Sequence, residues 1–357
     1  MPDRRLYPYL LQPKLSPAIW GGDALVTQFG KSGDPNAKIG ESWECWDANT
    51  VINGPLQGKT VAQLRELLAS DLLGPLDPSR IFPVLTKIID ACDALSVQVH
   101  PDDAYAQRVE HQPNGKTECW YIMEAAGGAE LVMGWIRDTT RTEYEARVAD
   151  GTLGDILRRV PVKPGDAFYI PAGTLHSIGA GIVLFETQQA SDLTYRIFDW
   201  NRAGPDGKPR PLHIQKAADV LDYHECFAGA LEELPYAFEG FSRTALVADA
   251  HFLVERVTAT ETHAALQTHG RPLIVMSLRE PLELVCEEGR VQLQRYQTAL
   301  VPAAAQSVSI AGGAPAPFML VTPALNADAL QKRFQSAGVA LPAVMQFLNQ
   351  FHALTNA

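Results

Sequence analysis

The stretch ALSVQVHPDD, residues 94 to 103, sets Ser96, Gln98 and His100 two residues apart. On an extended strand such residues share one face, and Leu95, Val97 and Val99 take the other. A Pro and two Asp then stop the strand. An amide oxygen and an imidazole on one strand face can converge on a single metal ion. A second imidazole comes from the pattern G-x5-P-x-G-x2-H (Gly165, Pro171, Gly173, His176). There a turn bearing Pro and Gly delivers His176 at the start of the next strand. A carboxylate comes from Glu118, which opens the strand ECWYIME after the polar loop PNGKT. One amide, two imidazoles and one carboxylate suit a divalent metal such as zinc and leave room for a substrate oxygen. Taken singly, each residue also has an ordinary structural reading: a hydrogen-bonded histidine, a satisfied glutamine, a surface Lys116–Glu118 pair. The set is stronger than its members because two independent turn-and-strand contexts each present a histidine.

A cationic group accompanies these residues. Lys116 lies two residues before Glu118 and can share its face. Arg196 sits in LTYRIFDW, with Thr194 and Phe198 on its face. Its planar guanidinium suits a phosphate or an enediolate oxygen, and the competing reading pairs it with Asp192 or Asp199. Lys87 lies on the preceding strand, with its face undecided. Glu186 shares a face with Leu184 and Gln188, as the buried partner of an arginine or as a general base. Trp20, Trp43, Trp46 and Trp120 read as core rather than as sugar-stacking platforms.

The elements that must position these residues are mostly short strands parted by Gly, Pro and Asp: 82–89, 94–100, 118–124, 129–135, 167–171, 182–188 and 193–198. Strands without intervening helices predict an antiparallel sandwich or barrel. Helices read as insertions. Thr60 to Gln63 forms a capping box opening a helix that Gly74 stops, Thr142 to Glu145 opens a short one, and Thr152 opens another through Val160. Two more follow at 326–336 and 342–353, the second starting at Pro342. GDAFYIPAGTLHSI (165–178) and TALVPAAAQSVSI (298–310) form a faint repeat in which Pro171 matches Pro302 and His176 matches Ser307. The second half, strand-rich from about 245 to 322, lacks clustered histidines and acids and reads as structural. The chain has 357 residues, 46% hydrophobic and 20% charged, enough for two domains with proper cores. A net charge of -11 argues against nucleic acid or an anionic membrane as partner, so an anionic small substrate would need a local cluster of cations. No signal peptide or membrane span is expected. Five cysteines without a CxxC predict reduced thiols in a cytoplasmic protein.

IGESWE, SVQVHPDD, GKTECWYI and PAGTLHSIGAGIVLFETQQASDLTYRIFDWNR together resemble the type I mannose-6-phosphate isomerases, closest to their short bacterial form. G-x5-P-x-G-x2-H itself resembles the second cupin motif, with Ala180 where an Asn often follows. The resemblance covers roughly residues 10 to 320, with the motifs concentrated in 39–202. It implies a mainly β fold of two cupin-type jelly-roll barrels with helical insertions. The metal-binding catalytic barrel would span 1–240, a metal-free one 241–322, and a helical extension 323–357, longer than expected for the short form. It implies one zinc per chain held by Gln98, His100, Glu118 and His176, a catalytic Arg196, and Lys116 in the GKTE loop. Lys87 and Ser96 join Lys116 and Arg196 as expected substrate contacts. The implied reaction interconverts mannose 6-phosphate and fructose 6-phosphate through an enediol. The base stays open among Glu186, a residue near the metal and a bound water. Competing readings are another metal cupin, such as a dioxygenase or an epimerase, a non-catalytic sugar sensor, and an isomerase of unphosphorylated sugars. A monomer is expected, since two barrels in one chain already cover each other.

Overall fold

The computed structural model describes residues 6–355, apart from 205–206, 227–228, 262–263, 312–315 and 324. Its strands form four antiparallel sheets of six, five, eight and four strands. None closes on itself, so the expected barrels take the form of open sheets facing in pairs.

The six-stranded sheet runs Ala167–Ile170, Glu118–Ala125, Ile182–Gln189, Val84–Ala91, Lys14–Gly22 and Ile39–Cys45. The five-stranded sheet runs Tyr195–Phe198, Val97–Val99, His176–Ile178, Glu130–Trp135 and Leu157–Pro161. Ile89, Trp120, Phe168 and Leu184 of the first meet Leu131, Met133, Val160 and Ile178 of the second in one core. In the second half, Val275, Leu320 and Phe318 of the eight-stranded sheet meet Leu284, Leu293 and Val308 of the four-stranded one. The eight-stranded sheet also takes Tyr9–Gln12, where Tyr9 pairs with Leu300. The chain therefore threads the second half's sheet before it builds the first.

The six- and eight-stranded sheets stack back to back. Ile88, Val183 and Phe185 pack in one cluster with Leu246, Ile274, Met319 and Val321. Leu64 and Leu68 from one helix and Phe334 and Phe347 from the last two seal its edges. This stacking explains why Val84–Ala91 and Ile182–Gln189 are buried at every position: each strand has a core on both faces.

The insertions follow local rules with two corrections. Thr60 caps Val61–Leu68 in a reciprocal capping box, and the helix breaks at Ala69 (φ 46°) before resuming over Ser70–Leu73. Arg141–Asp150 is capped by Thr140, not Thr142: only Thr140 lies outside the helix, in extended backbone, with its hydroxyl accepting from the Glu143 amide. The expected helix from Thr152 is a single turn, Leu153–Ile156, followed by the strand Leu157–Pro161. Pairing of Leu157 and Val160 with Trp135 and Leu131 overrides the helical spacing there. The C-terminal helices are Ala327–Ser336, capped by Asn326, and Leu341–Thr355. The repeat has a structural counterpart. Ala167–Ile170 lies in a large sheet, turns at Pro171, and re-enters the facing sheet at His176. Thr298–Val301 does the same through Pro302 and Ser307.

Candidate metal centre

The five-stranded sheet places three site residues in one row. His176 pairs directly with Gln98, and Gln98 with Arg196. Directly opposed residues project to the same face, so all three side chains point toward the six-stranded sheet. The turn into His176 requires Gly173, whose φ is +89° and whose added Cβ would meet the Val220 carbonyl at 3.1 Å. From the facing sheet comes Glu118, at the start of Glu118–Ala125 and opposite Ile170 and Gln188. Glu118 Oε1 lies 3.3 Å from His176 Nε2, and Oε2 lies 3.5 Å from His100 Nε2. The ligand atoms of His100, Glu118 and His176 fall within 4.8 Å of one another, the one such group among the described residues. All three are essentially inaccessible, at 1%, 1% and 0% exposure.

The donor set fits a divalent ion. His100 Nδ1–H donates to the Leu193 carbonyl at 2.7 Å, and His176 Nδ1–H to that of Thr174 at 2.9 Å. Both Nε2 lone pairs are thereby aimed inward. Burial, reinforced by Lys116 and by the other imidazole, holds His100 well below the usual imidazole range, and burial pushes His176 down to about 4. Both rings are therefore neutral, as a metal requires. Burial lifts the Glu118 carboxyl to about 7 despite Lys116 at 2.9 Å, and Glu118 Oε2 accepts no well-formed hydrogen bond. A buried carboxylate whose two oxygens face two inward imidazole lone pairs suits a cation site. Gln98 Nε2 lies 3.2 Å from His176 Nε2, and Gln98 Oε1 accepts from the Ser96 hydroxyl at 3.3 Å. Turning the amide over sends Oε1 toward the imidazoles and leaves Ser96 to accept from Nε2. Ser96 thus steadies the amide in either sense.

A cavity of about 760 Å³ opens over this centre and is walled by Trp20, Ser96, Gln98, Trp120, Glu186 and Arg196, among others. Five cations line it: Lys38, Lys87, Lys116, Arg196 and Arg210. Lys116 Nζ sits 3.2 Å from His100 Nε2, at the boundary between cavity and ligands. Lys87, whose face the sequence leaves undecided, points inward and bonds Glu186 at 3.2 Å and Glu41 at 3.5 Å. Burial opposes its charge, but Glu41 and Glu186 outweigh burial and raise its pKa. Burial would likewise raise Glu186, but Lys87, Lys116 and the Trp120 indole N–H, 2.9 Å away, hold it below the usual carboxylate value. Glu186 is therefore an ionised carboxylate facing the cavity, and its partner is a lysine rather than the arginine considered from the sequence.

Arg196 is half-buried and does not pair with Asp192 or Asp199. Its Nη1 donates to the Pro211 carbonyl at 3.0 Å, and its Nε is buried without an acceptor. Asp199 is taken instead by Arg210, in a two-pronged contact at 2.6 Å, and by Arg202 at 2.8 Å. Burial, then Arg210 and Arg202, lowers the Arg196 pKa against the pull of Asp199. Arg210 and Arg202 share Asp199 and leave Arg196 without an ion-pair partner among the described residues, so this wall stays cationic. Arg210 and Lys38 were not readable from the sequence. Neither lies on a strand, so no alternation assigns them a face; the RIFDWNR stretch alone hints that Asp199 needs partners.

The pattern of the phosphomannose isomerase type I catalytic domain matches residues 9–119. The mannose-6-phosphate isomerase of Streptococcus mutans is 37% identical over 302 residues, covering 82% of this chain and 89% of that one. This chain belongs to the mannose-6-phosphate isomerase family. The crystal structure of the Bacillus subtilis mannose 6-phosphate isomerase superposes with a TM-score of 0.81 at 32% identity, covering 88% of this chain and 99% of that one. A zinc-bound mannose 6-phosphate isomerase superposes at 0.71 with 15% identity, covering 89% of this chain and 100% of that one, a likeness of fold alone. Enzymes of this family carry the isomerase activity, and the chain has the family's catalytic domain.

Proposed function

We propose that the chain is a zinc-dependent aldose–ketose isomerase that interconverts mannose 6-phosphate and fructose 6-phosphate through an enediol. One observation carries the reading: His100, Glu118 and His176 converge beneath a cavity that Arg196 and Arg210 also line. Gln98 is the fourth ligand, and one zinc binds per chain. Zinc, when bound, supplies Lewis acidity toward the sugar's carbonyl and hydroxyl oxygens.

The side chains divide the remaining work. Arg196 and Arg210 hold the phosphate, with Lys38 at the rim adding charge. Arg196 brings an unpartnered Nε–H to a dianion, the geometry a guanidinium uses best. Lys116 donates a hydrogen bond to whichever of O1 and O2 carries negative charge. Glu186, kept ionised by Lys87, takes the proton from C2 as the C1–C2 double bond forms. It returns a proton to C1 as C2–O becomes the carbonyl, and a hydroxyl proton passes from O2 to O1. Ser96 holds Gln98. Isomerisation of an unphosphorylated sugar would leave the Arg196–Arg210 wall without a role.

Each facing sheet pair is read as one flattened jelly roll, the catalytic one built from within 1–240 and the metal-free one mainly from 241–322 with Tyr9–Gln12, Thr50–Val51 and Leu234–Phe238 added, followed by helices at 323–357. All five cysteines are free thiols, in keeping with a reducing cytoplasm. No helix among the described residues is long and apolar enough to cross a membrane. The two stacks bury each other's faces within one chain, which supports a monomer.

The test is fructose 6-phosphate formation from mannose 6-phosphate, with free mannose as the comparison substrate. Turnover of the phosphorylated sugar with a much larger kcat/KM supports the proposal. Equal turnover of both, or turnover of mannose alone, contradicts the phosphate assignment.

A further inference from the structure

A hydrogen-bonded frame holds the backbone that carries the ligands, and Asp103, Thr117 and Gln189 within it stand outside the cavity lining. Asp103 Oδ1 accepts the Gly115 N–H at 2.7 Å and the Gln189 side-chain amide at 2.9 Å. Gln189 Oε1 in turn accepts the Thr117 N–H at 2.8 Å, and the Gln189 N–H donates to the Thr117 carbonyl at 2.9 Å. Both backbone groups of Thr117 are thus held by one residue. The Thr117 hydroxyl accepts the Ala172 N–H at 3.3 Å, in the turn that delivers His176. Lys116 N–H donates to the Pro101 carbonyl at 3.0 Å, and Gly173 N–H to that of His100 at 2.9 Å. Gly115 lets the two segments approach: an added Cβ would fall 2.5 Å from the Pro101 oxygen and 2.4 Å from the Asp102 carbonyl carbon.

We infer that Asp103 and Gln189 are positioning residues that set the Lys116–Thr117–Glu118 segment against the two histidines, an inference that rests on the zinc isomerase reading above. Neither residue lines the cavity or reaches the ligand atoms, so each acts through the backbone it holds. Lys116 and Glu118 flank Thr117 and bring their side-chain tips within 2.9 Å of each other. The backbone of 115–117 therefore sets both tips, and the frame fixes that backbone at three successive residues. Metal–ligand distances tolerate only about 0.2 Å, so a loosened frame degrades the site without removing any ligand. Groups that orient ligands from behind typically contribute about 10- to 100-fold in metal affinity or activity.

The experiment compares Asp103→Ala, Gln189→Met and Asp103→Asn with the wild type. Zinc affinity is read by competition with a chromophoric chelator, then kcat and KM at saturating zinc. Asp103→Asn keeps an oxygen where Oδ1 accepts both N–H groups. The expected result is a loss of about 10- to 100-fold in zinc affinity for Asp103→Ala and Gln189→Met. A lower kcat should accompany it, with KM nearly unchanged because Arg196 and Arg210 hold the phosphate from other segments. Asp103→Asn should bind and turn over close to the wild type. Wild-type zinc affinity and kcat in the folded Ala and Met variants, with only the melting temperature lowered, would overturn the inference. So would an Asp103→Asn variant as impaired as Asp103→Ala. A wild type that binds no zinc would overturn the isomerase reading itself, a different outcome from variants that bind as well as a zinc-binding parent.

Discussion

Replacing Lys87 with methionine removes the one ammonium that bonds Glu186, 3.2 Å away, and it leaves Glu41 without its 3.5 Å partner. The side chains of Lys87 and Glu186 are 4% and 3% exposed, so solvent screens their contact little. Glu41 is 21% exposed and keeps the Trp43 indole N–H at 2.6 Å, so its charge is partly solvated. The stranded charge is therefore chiefly that of Glu186, which retains the Trp120 indole N–H and the more distant charge of Lys116. Breaking a buried pair from one side typically costs about 3–5 kcal/mol, and the surviving Trp120 bond puts Lys87→Met at the lower end, about 3 kcal/mol. Urea unfolding at pH 8 measures it. The double variant Lys87→Met/Glu186→Gln removes the stranded charge and should recover about 2 kcal/mol, a non-additivity expected of contacting residues. The pH dependence has a fixed sign. In the wild type the lowered Glu186 pKa contributes stability above the ordinary carboxylate value of 4.5, lost as pH falls through the lowered value. In Lys87→Met burial acts unopposed by Lys87 and raises Glu186, so the variant's deficit narrows as pH falls through the carboxylate range. If Glu186 is the base, the acid limb of kcat/KM moves to higher pH in the same variant. A Lys87→Met cost below about 1 kcal/mol at pH 8, or a double variant no more stable than the single one, would refute the reasoning.

Arg196→Ala should raise KM for mannose 6-phosphate on the order of 10- to 100-fold, the worth of a charge-assisted contact, while leaving free mannose turnover unchanged; steady-state kinetics on both sugars separates these. In the second half, buried Glu255 bonds Arg333 at 2.7 Å and Arg243 at 3.4 Å and accepts from Tyr236. Glu255→Leu strands both arginines and should cost about 3–5 kcal/mol. Since Arg333 lies on Ala327–Ser336, hydrogen exchange should rise first in that helix, with kcat unaffected.

The convergence of Gln98, His100, Glu118 and His176 was legible because strand alternation is rigid. A period of two puts Gln98 beside His100, and a Pro–Gly corner between sheets puts His176 opposite Gln98. The same corner explains why the repeat could be seen although its second copy lost the histidine. Lys87 had no readable face, because a strand buried on both sides shows no alternation. Arg210 was invisible for another reason: it comes from irregular backbone and is fixed by Asp199, a contact between residues 11 apart in the chain. The Leu157–Pro161 strand was hidden by spacing that suits a helix, since sheet pairing rather than propensity decides it. The cap of Arg141–Asp150 was ambiguous because Thr140 and Thr142 each precede an acid by three residues, and only backbone geometry chooses. The stacking of four open sheets follows from long-range packing that no window of sequence contains.

The central claim is that Gln98, His100, Glu118 and His176 hold a zinc ion on which the isomerase activity depends. The direct test strips metal from the folded protein, follows fructose 6-phosphate formation from mannose 6-phosphate, and titrates zinc back into the wild type and His176→Ala. The account predicts background activity after chelation and full recovery at one zinc per chain, with at least about tenfold more zinc needed by His176→Ala. Undiminished turnover by the metal-free protein, or none by the zinc-loaded one, would contradict it.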